Sequence, residues 1–322
     1  MIESTSRPRR TGIILNPKSG HVRRHLAQLR QLAEQVPAAT VIEASSPEKI
    51  TEAVNTFELA AEDLLVVIGG DGSLQAALTA MLRLELQVTP RVLVVAAGTT
   101  NMSAADLGMR LKPAAALQAL HDWISGKTSA PITRPRKVVQ VADSSLTPPQ
   151  YGMFFGAGAI ISGVRYFHGS VRPKGVRGAL GPSLAFVRTL LSLFSNREHP
   201  LLPATKARLH LKKQPVHAEW LLILATTLDT LLLGSTPYWG TEKAPMHFTA
   251  ITHRAPRLLT ALFFLLRGKT NATVRNSQAY ISHNVTHSTI EDLSEYLLDG
   301  EIFSTQGSLR LSANTAVRFI LI

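Results

Sequence analysis

Short apolar strands alternate with helical patterns over the first 130 residues, and this alternation constrains the fold more than any other feature. The strand patterns cover Gly12–Leu15, Thr40–Glu43, Leu64–Ile68 and Arg91–Ala96. Between them apolar residues recur at helical spacing, and Ser45 followed by Glu48 has the pattern of a capping box at a helix start. Repeated strand–helix units form parallel sheets with helices on their faces. The first part of the chain is therefore predicted to be an α/β domain.

The sequence changes character near residue 134, where strand patterns become dominant. The predicted strands are Lys137–Ala142, Ala207–Leu211, Val216–Thr226, Met246–Thr252, Thr273–Ile281 and Ser308–Ile322. Two helical patterns, Pro182–Phe194 and Pro256–Arg267, interrupt them. We therefore predict two domains, an α/β domain over residues 1–133 and a mainly β domain over residues 134–322. The final strand of the second domain is allowed to pair with the sheet of the first domain.

The charge of the chain is concentrated in its second part. Residues 1–130 contain 13 Lys and Arg against 12 Asp and Glu, a net charge of +1, whereas residues 131–322 contain 21 against 10, a net charge of +11. This asymmetry indicates an anionic partner, either a nucleic acid or an acidic membrane surface. Nucleic acid is disfavoured, because the basic residues are not interleaved with aromatic residues that could stack on bases.

Cysteine is absent, which excludes disulfides, thiol nucleophiles and cysteine-ligated metals. The N-terminal residues lack the apolar stretch of a secretory signal. The apolar runs Trp220–Leu233 and Leu258–Leu266 are shorter than the ~18 residues typical of a spanning helix. We therefore expect a cytoplasmic protein that associates with a membrane peripherally. A homodimer is left open.

Three glycine-rich turns follow three of the strands in the first domain. They read Asn16-Pro17-Lys18-Ser19-Gly20, Gly69-Gly70-Asp71-Gly72-Ser73 and Gly98-Thr99-Thr100-Asn101. The carboxyl ends of parallel strands share one edge of the sheet, so the turns are predicted to converge. Glycines let backbone N–H groups approach phosphate oxygens, and a following helix adds its positive N-terminus. The turns therefore predict a nucleotide site, although no P-loop and no strand-linked G-x-G-x-x-G motif is present.

Together with Asp299-Gly300-Glu301 far downstream, these turns resemble, in order and spacing, the diacylglycerol kinase catalytic domain. That family includes bacterial lipid kinases and is related to sphingosine and ceramide kinases. The resemblance implies an N-terminal α/β nucleotide-binding domain like those of NAD kinases and phosphofructokinases. It also implies a C-terminal β-sandwich that holds the lipid, with ATP in the cleft between the two domains.

The resemblance also implies roles for individual residues. Glu301 would be the general base that takes the proton of the lipid hydroxyl, with Asp299 beside it, and Asp71 would serve Mg²⁺. The residues predicted to contact the nucleotide are Asn16, Ser19, Gly20, Gly69, Gly70, Asp71, Gly72, Ser73, Gly98, Thr99 and Asn101. The implied activity is ATP-dependent phosphorylation of a lipid alcohol, first of all diacylglycerol, to give phosphatidic acid. A sphingoid base or ceramide as the substrate, and a non-catalytic lipid-binding relative, are the alternatives.

Two parts of the sequence depart from the family pattern. On either side of the third turn, Ala96 replaces a proline and Met102 an acidic residue of the family pattern. Many bacterial members have glycine-rich and acidic segments that hold a structural Mg²⁺ at the place where this chain, from Leu231 to Met246, reads LLLGSTPYWGTEKAPM. We therefore assign no structural metal site.

The apolar run after Pro256 allows two interpretations. Its leucines and Phe263 are bracketed by four basic residues, Arg254, Arg257, Arg267 and Lys269, which is typical of a helix lying in an anionic membrane surface. Alternatively, the helix packs its leucines against the β domain. A second basic stretch contains Arg165, Arg172, Lys174 and Arg177.

Overall fold

The computed structural model describes residues 3–4, 6–166, 204–211 and 215–322. Its chain divides into two compact units. The first contains the residues up to Arg136 together with Ala316–Ile322, and the second contains Lys137–Thr315. The predicted helix Pro182–Phe194 and the basic residues Arg172, Lys174 and Arg177 lie outside the described residues.

The first unit is built on a seven-stranded sheet. Its strands are β1 (Glu3–Ser4), β2 (Thr11–Leu15), β3 (Ala39–Glu43), β4 (Leu64–Gly69), β5 (Arg91–Ala96), β6 (Ile132–Lys137) and β18 (Ala316–Leu321). Their order in the sheet is β1-β6-β18-β5-β4-β2-β3. Strands β2 to β5 are parallel, and β18 runs parallel to β5. The predicted α/β fold is confirmed.

Five helices connect these strands. They are α1 (Leu26–Glu34), α2 (Pro47–Phe57), α3 (Asp71–Arg83), α4 (Met102–Leu107) and α5 (Pro113–Ile124). All six residues of β4 are buried, as expected of a central strand that is covered on both faces. The cap of α2 is Ser46, whose hydroxyl accepts a hydrogen bond from the Lys49 N–H, so the predicted capping residue Ser45 is one position early.

The described part of the second unit is built on a single antiparallel sheet of eleven strands. Its strands are β7 (Val139–Asp143), β8 (Leu146–Gly152), β9 (Phe154–Gly158), β10 (Thr205–His210), β11 (Val216–Thr226), β12 (Met246–Thr252), β13 (Tyr280–Val285), β14 (His287–Glu291), β15 (Glu295–Leu298), β16 (Glu301–Ser304) and β17 (Leu309–Ser312). Its described helices are α6 (Ala159–Tyr166), α7 (Leu258–Leu265) and α8 (Ala272–Arg275).

This sheet curls around its own hydrophobic core. The main path runs β16-β15-β9-β11-β10-β14-β17-β7-β8, and β12 and β13 branch from β11. Val141 near one end of the path and Tyr296 near the other nevertheless belong to the same buried cluster, together with Phe155 and Trp220. Strands so far apart in the hydrogen-bonded order share a core only if the sheet folds over itself. The predicted mainly β second domain is confirmed in this form.

Two predicted strands are wrong in their extent. The stretch Thr273–Ile281 begins with the short helix α8, because the Asn271 side chain caps it by accepting the Val274 N–H at 3.0 Å. The stretch Ser308–Ile322 is divided between the two sheets, since β17 pairs with β14 and β7 whereas β18 pairs with β5.

The leucines of α7 pack against the second unit's sheet. Leu258, Leu262 and Leu265 are buried in a cluster with strand residues such as Leu224 and Ile251. The packing interpretation of this helix is therefore correct for these side chains. Within the described part of the chain, no helix is long and apolar enough to cross a membrane.

Candidate functional site

The three glycine-rich turns lie side by side at one edge of the first sheet. This follows from the strand order, because β2, β4 and β5 are parallel neighbours. Backbone hydrogen bonds join the turns directly: the Asn16 N–H donates to Ile68 at 3.0 Å, the Ala97 N–H to Gly69 at 2.8 Å, and the His21 N–H to Ala97 at 3.0 Å. The structure thus brings the predicted nucleotide residues together.

Asn16 ties the first turn to the start of α3. Its side-chain amide donates to the Ser73 hydroxyl at 2.8 Å, and its carbonyl oxygen accepts the Lys18 N–H at 3.0 Å. Gly69 lies under this contact, since a Cβ atom added there would come 2.6 Å from the Ser73 hydroxyl oxygen. A larger residue at position 69 would displace Ser73.

Gly70 and Gly98 bring the second and third turns into backbone contact. A Cβ atom added to Gly98 would lie 2.4 Å from the Gly70 Cα, and one added to Gly70 would lie 3.1 Å from the Gly98 Cα. From the sequence, these glycines are predicted to let backbone N–H groups approach phosphate oxygens. The structure adds a second physical reason for both, because no side chain fits between the turns.

Asn101 shapes the third turn from within. It adopts a left-handed conformation, with φ 49°. Its side chain accepts the Gly98 N–H at 2.7 Å and donates to the Gly98 carbonyl at 3.0 Å. Thr99, between these two residues, is exposed. Its hydroxyl oxygen is 3.5 Å from the position of an added Cβ at Gly20, so the first and third turns meet here.

Asp71 has a structural partner that the sequence did not reveal. Its two carboxylate oxygens accept the N–H groups of Met102 at 3.0 Å and Ser103 at 2.9 Å, at the start of α4. Burial raises the pKa of the Asp71 carboxyl, and these hydrogen bonds oppose the rise. Met102 contributes to this contact through its backbone, so its replacement of an acidic residue leaves the contact intact. Among the described residues, no group of three or more His, Cys, Asp or Glu side chains is arranged to hold a metal.

A basic cluster next to the first turn was missed by the sequence analysis. The rings of His21 and His25 are 4.7 Å apart, and the Arg24 guanidinium donates to the Gly20 carbonyl at 3.2 Å. Burial lowers the pKa of His21, and the nearby charges of His25, Arg24 and Lys112 lower it further. The signal was the run His-Val-Arg-Arg-His directly after the turn, which adds positive potential at this edge.

Asp299 and Gly300 form the tight turn between β15 and β16. Both have positive φ, 46° and 94°, which is the conformation of a two-residue hairpin turn. Asp299 is only 2% exposed, and its carboxylate accepts the N–H groups of Met153 at 2.7 Å and Phe154 at 2.8 Å. Glu301, by contrast, is exposed at the start of β16. The two acidic residues therefore occupy different environments.

The segment between Leu231 and Met246 is held by hydrogen bonds to residues of β13. The Glu242 carboxylate lies 2.6 Å from Nδ1 of His283 and accepts the Asn284 N–H at 3.0 Å. Burial raises the pKa of Glu242, but the N–H bonds and His283 outweigh it and bring the pKa to about 2. The Asn284 amide also donates to Gly240 at 3.1 Å. Hydrogen bonds thus anchor this segment, to which no metal site is assigned.

Comparison with known proteins supports the family predicted from the motifs. Residues 10–129 match the family model described as the diacylglycerol kinase catalytic domain. This part of the chain, which carries all three turns, is therefore similar to the catalytic domain of that kinase family. The match does not extend to Asp299 or Glu301. No curated protein sequence is significantly similar to this chain.

Solved structures with low sequence identity share the fold over nearly the whole chain. A diacylglycerol kinase from Bacillus anthracis str. Sterne is 14% identical, with a TM-score of 0.61 over 99% of this chain and 98% of that chain. Another structure from the same organism is 16% identical, with a TM-score of 0.68 over 99% of each chain. Yeast NADH kinase complexed with NADH is 12% identical, with a TM-score of 0.51 over 98% of this chain and 84% of that chain. At these identities the likeness shows the fold.

Proposed function

We propose that the protein is an ATP- and Mg²⁺-dependent lipid kinase that transfers the γ-phosphoryl group of ATP to the hydroxyl of a lipid alcohol. Diacylglycerol is the proposed substrate, with phosphatidic acid and ADP as products. The observation that carries this proposal is the convergence of three glycine-rich turns within the matched kinase domain. Phosphoryl transfer depends mainly on positioning and charge neutralisation, and such an edge suits both.

The nucleotide would bind at the start of α3. Gly70 precedes this 13-residue helix, whose first N–H groups have no intrahelical partner and carry the positive end of the helix dipole. The exposed side chains of Lys18 and Thr99 border the same edge. Backbone N–H groups, a hydroxyl and an ammonium group together provide the donors that phosphate oxygens require.

Asp71 is the proposed carboxylate partner of Mg²⁺. Each of its oxygens accepts one backbone N–H, and an ionised carboxylate oxygen has a further lone pair for a cation. Mg²⁺ commonly binds through one or two carboxylates together with substrate phosphates, so a single acidic residue is sufficient. When bound, the ion would neutralise charge on the phosphates. The protein's own part is to hold the Asp71 carboxylate rigid against the start of α4.

Glu301 is the proposed general base. Its carboxylate is exposed, whereas both Asp299 oxygens accept buried backbone N–H groups. The lipid hydroxyl oxygen would attack the γ-phosphorus as its proton passes to Glu301 and the bond to the β–γ bridging oxygen breaks. A general base contributes roughly 10²–10⁴-fold to the rate. We therefore expect Glu301→Gln to lower kcat by that factor and to leave ATP affinity, measured by calorimetry, close to that of the wild type.

The substrate is tested by transfer of labelled phosphate from ATP. The purified protein is incubated with Mg²⁺ and mixed micelles containing diacylglycerol, a sphingoid base or ceramide, and the lipids are then extracted. Labelled phosphatidic acid supports the proposal, and label in a sphingolipid reassigns the substrate. Absence of label in every lipid, with ATP binding retained, indicates the non-catalytic relative instead.

We also propose that the protein is cytoplasmic and meets its substrate by peripheral attachment to an anionic membrane. The net charge of +11 on residues 131–322 supports this, because anionic headgroups attract such a surface. Screening by salt should weaken the attachment.

A further inference from the structure

Helix α7 has two apolar faces with different environments. Leu258, Ala261, Leu262 and Leu265 are buried against the second unit's sheet. Phe263 is 58% exposed and Phe264 is 40% exposed. The buried leucines hold the helix in place, so the exposed phenylalanines project from a helix that is packed against the sheet.

The two phenylalanines are ordered by contacts of their own. Their rings pack edge to face, with centroids 5.6 Å apart and an interplanar angle of 89°. The Arg267 guanidinium lies 4.1 Å from the centroid of the Phe263 ring and donates to the Phe263 carbonyl at 3.0 Å. Side chains that are already ordered lose little entropy when a partner covers them.

The sequence on both sides of this helix contains basic residues and no acidic ones. Residues 243–290 contain no Asp or Glu and six Lys or Arg. Four of these cations, Arg254, Arg257, Arg267 and Lys269, bracket α7 and are exposed. Among the described residues, none of the four forms an ion pair with an acidic side chain. We call Phe263, Phe264 and these four cations the α7 face.

We propose that the α7 face binds the surface of an anionic lipid bilayer, with the phenylalanines inserted among the headgroups. Exposed aromatic side chains flanked by unpaired cations match the interface between acyl chains and anionic headgroups. A second copy fits poorly, because a symmetric dimer through this face would oppose like charges. Nucleic acid also fits poorly, since edge-to-face rings do not offer parallel surfaces for successive bases. This deepens the proposed function, but vesicle binding tests it without any kinase assay.

The first test measures co-sedimentation with vesicles of phosphatidylcholine, with and without about 30 mol% phosphatidylglycerol. We expect binding that requires phosphatidylglycerol and weakens with salt. The double variant Phe263→Ser/Phe264→Ser should bind roughly tenfold or more weakly. Its matched control is Leu84→Ser/Val88→Ser, since these residues of the first unit are 41% and 51% exposed, and it should bind like the wild type.

Further single-residue variants make the result decisive if the double variant loses stability. Arg254→Gln and Arg257→Gln should each weaken binding to the phosphatidylglycerol vesicles by roughly fivefold at low salt. In Phe263→Trp, the added tryptophan emission should shift to the blue on these vesicles. Each of three results would overturn the proposal. The wild type could bind equally well with and without phosphatidylglycerol, the two arginine variants could bind like the wild type, or the tryptophan emission of Phe263→Trp could stay unshifted. The molecular mass of the protein without vesicles is also measured by sedimentation. If the Phe264→Ser variant has a smaller mass than the wild type, the α7 face binds a second copy, and the proposal is overturned.

Discussion

Asp299→Asn tests whether this residue supports the fold around Glu301 or takes part in the chemistry. The Asp299 carboxylate accepts the N–H groups of Met153 and Phe154 at 2.7 and 2.8 Å and is 2% exposed. Asparagine tolerates the left-handed backbone of position 299, where φ is 46°, so the substitution changes mainly the hydrogen bonds. One of the two acceptor oxygens becomes an NH₂ group, so one of the two backbone N–H groups loses its acceptor.

The expected cost follows from these two bonds. A hydrogen bond to a charged group contributes about 1.5–3 kcal/mol, and the remaining bond weakens because the oxygen is no longer charged. The free energy of unfolding should therefore fall by about 2–4 kcal/mol. For a unit of this size, each kcal/mol lowers Tm by about 2–4 °C, so we expect a decrease of roughly 5–15 °C.

The assay is thermal unfolding followed by circular dichroism, with denaturant titration as a second measure. Glu301→Gln is the matched control, since this exposed side chain should leave Tm unchanged. If Asp299→Asn unfolds like the wild type but loses kcat, the residue acts in the chemistry and the supporting role is refuted. If both Tm and kcat fall, the kcat loss should be compared at a temperature where the variant is fully folded.

Two further predictions concern the glycine turns and the segment anchored by Glu242. Gly98→Ala should lower the free energy of unfolding by about 2 kcal/mol or more, because its Cβ would lie 2.4 Å from the Gly70 Cα. The control Gly20→Ala should unfold like the wild type, because its Cβ would lie 3.5 Å from the nearest atom. Equal denaturant midpoints for the wild type and both variants would contradict this prediction. The pKa of Glu242 is lowered from 4.5 to about 2, so its ionised form stabilises the fold above pH 4.5, and this stabilisation is lost as the pH falls toward 2. Glu242→Gln should therefore show a smaller decrease of Tm than the wild type between about pH 6 and about pH 3, and identical slopes would count against the anchoring role.

The sequence by itself determined the α/β character of the first unit and the place of the three turns. Strands such as Leu64–Gly69 and helices such as Pro47–Phe57 follow from periodicity and caps, which depend on residues only a few positions apart. The convergence of the turns then follows from the geometry of any parallel sheet, without knowledge of side-chain contacts. The motif order was enough to predict the family that the domain match supports.

Only the tertiary structure decided what the acidic residues and the apolar helix do. Asp71 caps a helix 31 residues further along the chain, and Asp299 binds backbone groups 145 and 146 residues earlier, so neither partner leaves a local pattern. The division of α7 into buried leucines and exposed phenylalanines likewise depends on where strands β11 and β12 pass beneath it. Local patterns encode secondary structure because short-range sterics and hydrogen bonds create it. The partner of a buried carboxylate is set only when distant segments pack together.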